Sequence, residues 1–125
     1  YDLIDKNCKI DLLNLLEIFK KEVENNGGQF HILVYPDKDY INYFYEMLSL
    51  RKNRLNYYIL DRNLTFGSTI NGKNINFDND AHWNEYGNYA FANNLIDIFN
   101  LIGIQIKNKN FNINFNNIDS FYEEN

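Results

Sequence analysis

The densest group of side chains able to do chemistry is the run Asp78-Asn79-Asp80-Ala81-His82-Trp83-Asn84-Glu85-Tyr86-Gly87-Asn88. Histidine can take a proton from a hydroxyl near neutral pH, because its unperturbed pKa is about 6.5. To act as a base toward serine, the imidazole needs an acceptor on its other nitrogen, which fixes the tautomer and stabilises the imidazolium. Asp80, two residues before His82, can supply that acceptor from the same loop. Asn84 is placed to cap a following helix, and Gly87 in its first turn leaves room for close packing against a neighbouring strand or loop. Trp83 is expected to wall the site and hold the loop against the core.

Other chemistries fit the same residues less well. Asp78, Asp80, His82 and Asn84 alternate as ligands do in a calcium loop, but an EF-type loop counted from Asp78 would need Gly at Trp83 and Glu at Tyr89. Histidine is also a poor calcium ligand. A transition metal held by Asp80 and His82 lacks an evident third ligand, so no metal and no cofactor are expected. His31 lies inside the apolar run FHILVY and reads as a packed or strand-end histidine. The single cysteine, Cys8, reads as an inert small residue, and its being alone excludes an internal disulfide or a cysteine-based zinc site. Asp61-Arg62 reads as a turn. The match of Asn63-Leu64-Thr65 to a glycosylation sequon carries little weight in so Asn-rich a chain.

Helices and strands must position the loop. Leu12, Leu15, Leu16, Phe19 and Val23, spaced by three and four, predict an amphipathic helix over Ile10 to Val23. Asn25-Asn26-Gly27-Gly28 should stop it. The run Phe30 to Tyr35, ending at Pro36, predicts a buried parallel strand. Asp39 is the expected cap of a second helix reaching about Leu50, with Arg51 to Arg54 supplying positive charge at its C-terminal end. Asn56 to Leu60 is a second strand. A long loop from Asp61 to Trp83 leads to a third helix over Asn84 to Ile102, with Ala92, Leu95, Ile96, Phe99 and Ile102 on one face and Gly103 as its stop. The tail from residue 104 to 125 alternates Phe111, Ile113 and Phe115 with Asn, as an edge strand or a poorly ordered terminus would. Helix, strand, helix, strand is the order of a parallel sheet covered by helices, whose ligands bind beyond the carboxyl ends of the strands.

The 125 residues allow one domain at most. A first residue of Tyr, with a helical pattern starting within ten residues, is what the C-terminal piece of a longer protein would show. Apolar residues make up 45% of the chain and aromatics 17%, enough to build a core. A net charge of −5 with mixed signs argues against a nucleic-acid surface, which needs clustered Lys and Arg. No apolar run approaches the roughly 18 residues of a membrane span. The heavy use of Asn reads as the compositional bias of an AT-rich genome.

The pattern D-x-H-W-N-x-x-G at Asp80, His82, Trp83, Asn84 and Gly87, followed by an Ala-containing amphipathic helix, resembles the last block of SGNH/GDSL hydrolases. It is most similar to the subset in which Asp precedes His by two positions, which includes polysaccharide O-acetyltransferase-like proteins. The specific part spans about eight residues. The order of elements through residue 103 is compatible with the family. The resemblance implies a three-layer α/β/α flavodoxin-like sandwich with a parallel sheet, represented here over residues 1 to 103 by its C-terminal half. It also implies a serine esterase or O-acyl (acetyl) transferase acting on a small-molecule or carbohydrate ester, with His82 as general base and Asp80 as its orienting carboxylate.

Two departures bear on that expectation. Many members carry Asp three residues before the His, where this chain has Asn79. The Gly-Asp-Ser block with the nucleophile, and the Gly and Asn of the oxyanion hole, are not among these residues. Ser49, Ser68 and Ser120 stand in no such context, so this chain alone should be inert. The other expectation is a non-catalytic α/β module, a pseudoenzyme or structural partner, in which Asp80 and His82 merely stabilise a loop.

Overall fold

The computed structural model describes residues 2 to 104. The candidate tail strand, from residue 105 on, lies outside the described residues. The fold is mixed α/β, with three α-helices and two small sheets, one of them a parallel pair. The chain divides into two compact units, residues 1 to 59 and 60 to 125.

The first unit holds helix α1 (Asp2–Asn25), strand β1 (His31–Val34), helix α2 (Ile41–Ser49) and strand β2 (Asn56–Ile59). β1 and β2 pair in parallel, with His31 opposite Asn56 and Val34 opposite Ile59. Parallel strands need a crossover between them, and α2 provides it. Leu13, Val34, Met47, Leu48 and Leu55 form the buried core, with Leu16, Ile32, Phe44 and Tyr57 packed around it. α1 ends where Gly27 takes a left-handed φ of 82°, as the Asn-Gly-Gly run predicts.

Three details differ from the sequence reading. On α1 the buried residue is Leu13, while Leu12, Leu15 and Phe19 are exposed. The helix carries apolar residues on two adjacent stripes, and the stripe of Leu13 and Leu16 is the one that packs on the sheet. On β1 only Val34 is buried, because a two-stranded sheet covers less than the full run. α2 is not capped by Asp39. Its N-cap is Tyr40, without a side-chain cap bond, and the Asp37 carboxylate accepts the N–H groups of Asp39 and Tyr40 in the turn before it. Arg51 and Arg54 follow the helix in a turn and flank the Glu17 carboxylate of α1, with Arg54 Nη1 at 3.2 Å. An apolar groove of about 440 Å³ lies over this unit, lined by Leu12, Leu16, Leu33, Tyr40 and Phe44 among others.

The second unit begins with a single 3-10 turn at Arg62–Leu64, capped by the Asp61 carboxylate, which accepts from Asn63 N–H. A minimal antiparallel hairpin follows, β3 (Thr69–Ile70) and β4 (Lys73–Asn74). Helix α3 (Glu85–Ile102) completes the unit and stops at Gly103, whose φ of 84° is left-handed. The helix buries Gly87 and Ile98, with Phe91 and Leu95 half-buried between them. Ala92, expected on the inner face, is exposed, because the inner stripe starts from Gly87 and so lies one residue out of phase. Among the described residues, no helix is long and apolar enough to cross a membrane.

Candidate functional site around Asp80 and His82

Residues 75 to 84 form a narrow loop closed on itself. Asn76 and Trp83 face each other in an antiparallel bridge. Phe77 N–H donates to His82 O at 3.2 Å, and Asp80 N–H donates to Phe77 O at 3.2 Å. Asn79 takes a left-handed φ of 57° at the tip, a conformation Asn tolerates better than most residues. This turn brings Asp80 back toward His82.

The two sequence-predicted site residues meet. His82 Nδ1 lies 2.6 Å from Asp80 Oδ1, and the same oxygen accepts the His82 backbone N–H at 2.9 Å. With the carboxylate as acceptor, the proton belongs on Nδ1, and Nε2 is left as the basic nitrogen. The backbone N–H of His82, then its ring, hold the Asp80 carboxyl below its ordinary value of 3.8. The imidazole is 86% exposed and the carboxylate 48%, so the pair is open to solvent. No hydrogen bond joins Ser68 to His82 among the described residues, and the hydroxyl of Ser49 donates to Glu46 O.

The residues after His82 anchor the loop as their types predict. Trp83 Nε1 donates to Leu64 O at 2.9 Å, and its ring stacks on Phe91 at 5.1 Å between centroids. Asn84 caps α3, its Oδ1 accepting from Tyr86 N–H and Gly87 N–H, while its Nδ2 donates to the carbonyls of Asn74 and Asn76. Gly87 is required by close approach. A Cβ there would stand 2.3 Å from Ile75 O and 2.8 Å from Trp83 Cβ. The sequence reading does not single out Phe91 or Asn76. Phe91 lies on the next helix, whereas Trp83 precedes that helix's cap, so no helical spacing marks the two as partners. Asn76 is hidden by the abundance of Asn.

Beside the loop, Phe66, Ser68, Asn74, Phe77 and Asn79 help line a shallow pocket of about 210 Å³. Among the described residues, no group of three or more His, Cys, Asp or Glu side chains is arranged to hold a metal ion. His31 stands at the start of β1, its Nε2 3.1 Å from Gln29 Oε1 and its ring tilted against Tyr58. Cys8 is exposed on α1.

An imidazole bonded through Nδ1 to a carboxylate, on a tethered loop at a helix N-terminus, leaves Nε2 on an exposed ring, an arrangement chemically able to exchange a proton with a group brought to it. No family model matches this chain, and neither does any curated protein or solved structure.

Proposed function

We propose that this chain is the Asp–His portion of an SGNH/GDSL-type serine esterase or O-acyl (acetyl) transferase. The observation that carries the reading is the 2.6 Å contact between His82 Nδ1 and Asp80 Oδ1, with the ring's far side open to solvent. A serine nucleophile outside these residues would attack the ester carbonyl as His82 Nε2 takes its proton. The same proton then passes to the leaving alkoxide, and water or a sugar hydroxyl releases the acyl group. The substrate is a small-molecule or carbohydrate ester. The parallel β1–β2 pair and its helices would form part of a three-layer α/β/α flavodoxin-like sandwich, and the open apolar groove over the first unit gives a further layer a surface to cover.

The test is turnover of a short-chain aryl ester by the full-length protein, with His82→Ala alongside. A loss on the order of 10³-fold or more is expected. Equal activity of the two proteins would remove His82 from the base role. One observation favours the alternative, a non-catalytic α/β module. Asp80 Oδ1 also accepts the backbone N–H of His82, so the pair closes a turn whatever its chemistry. A full-length protein without esterase or acyl-transfer activity would support that reading.

A further inference from the structure

We infer that Asn76 is the positioning residue of the Asp80–His82 pair, its side-chain amide setting where the imidazole stands. The inference rests on the reading of that pair as base and orienting carboxylate.

Asp80 and His82 bind chiefly to one another, and a ring 86% exposed has little packing to hold it. Its position therefore depends on the backbone beneath. Asn76 is only 8% exposed and reaches that backbone directly. Its Nδ2 donates to Ala81 O at 2.9 Å and to His82 O at 3.3 Å, while its Oδ1 accepts from Gly67 N–H at 3.0 Å. Its own carbonyl accepts from Asn84 Nδ2, which ties it to the cap of α3. The side-chain amide thus joins two stretches of backbone, the turn at Gly67 and the carbonyls of the Ala81–His82 step, and the residue's own carbonyl is held by the capping side chain Asn84.

The chemistry selects an amide. The side chain must accept on one side and donate twice on the other, within the volume of four heavy atoms. Aspartate has the same shape but would turn an acceptor toward two carbonyl oxygens. Alanine would leave Gly67 N–H and the two carbonyls without this partner.

The test reads the imidazole by ¹⁵N NMR in the intact chain at a pH where His82 is neutral. In the wild type, the tautomer protonated at Nδ1 should dominate. In Asn76→Asp and Asn76→Ala, the ratio of Nδ1–H to Nε2–H should fall by about five- to tenfold, the scale of one lost hydrogen bond. The Trp83 indole N–H and the Gly87 amide should keep their wild-type shifts, because a merely structural role would move those as well. An unchanged tautomer ratio in a folded variant overturns the inference, and so does a ratio that changes only together with the Trp83 and Gly87 signals. Should neither variant fold, hydrogen exchange of the wild-type Asn76 side-chain amide decides. Slowing of about tenfold against exposed Asn side chains supports the clamp, and free exchange overturns it. No turnover is required, so a failed esterase assay leaves these outcomes standing, and their failure leaves the esterase reading intact.

Discussion

The two units stabilise themselves by different means. In residues 1 to 59, buried leucines, valine and methionine fill the space between two helices and a parallel strand pair. In residues 60 to 104 the described strands are two residues long, and much of the chain is loop. All three buried polar side chains among the described residues, Thr65, Asn76 and Asn84, lie in this second stretch. Buried carbonyls need donors. In this stretch side chains supply many of the donors to carbonyls: Trp83 for Leu64, Asn84 for Asn74 and Asn76, Asn76 for Ala81, and Asn88 for Trp83, while His82 O takes Asn76 as a second donor beside Phe77 N–H. The first unit is held by apolar burial, and the second adds a web of directional bonds around its loop.

The contrast predicts graded effects. Leu48 is 2% exposed in the first core, and Leu48→Ala should cost about 2–5 kcal/mol through lost burial and a residual cavity. Urea unfolding followed by near-UV circular dichroism would read it. A loss under about 1 kcal/mol would mean that this core collapses around the gap and is less tightly packed than its burial implies.

Gly87→Ala comes next. The added Cβ would meet the backbone oxygen of Ile75, which cannot swing away as a side chain could. A destabilisation of about 1–3 kcal/mol is expected, with the indole resonance of Trp83 displaced because its Cβ is the second atom struck. A neutral Gly87→Ala would show that the loop yields, and the idea of a rigidly bonded second unit would go with it.

Asn84→Ala removes a helix cap and two carbonyl donors together. The cap alone is worth about 0.5–2 kcal/mol. The expected loss exceeds that of Asn84→Asp, which keeps the cap oxygen but not the donors. If the two variants lose the same stability, the cap bonds that Oδ1 accepts from Tyr86 N–H and Gly87 N–H contribute nothing, and the whole loss belongs to the Nδ2 donors.

What could be read from the sequence follows the same division. The helix–strand–helix–strand order was readable because apolar spacing and the Asn-Gly-Gly stop are local signals. The phase of α1 was not, since its two apolar stripes are equivalent until a sheet selects Leu13 over Leu12. In the second unit Trp83, Asn84 and Gly87 could be assigned from their positions around a helix start, and the geometry agrees at each. The capping error at Asp39 has a simple origin. Asp37 and Asp39 both precede α2, and the turn uses the earlier one. Asn76 could not be found, because its role depends on a loop folding back across five residues, and an Asn-rich chain offers many similar candidates.

The smallest expected effect concerns the pair itself. The Asp80 carboxyl is lowered in the folded chain, so its contribution to stability is complete above the ordinary value of 3.8 and disappears as pH falls through the lower folded value. The contribution is small because the carboxylate is exposed and screened. Its origin can still be resolved. The largest cause is the backbone N–H of residue 82, and the ring comes second. Titrating the Asp80 carboxyl by ¹³C NMR in His82→Ala should therefore bring its midpoint only part of the way back, since the backbone donor survives the substitution. A full return to 3.8 would assign the shift to the imidazole. The pair would then be held by its own attraction, and the bonded loop beneath it would matter less than its geometry suggests.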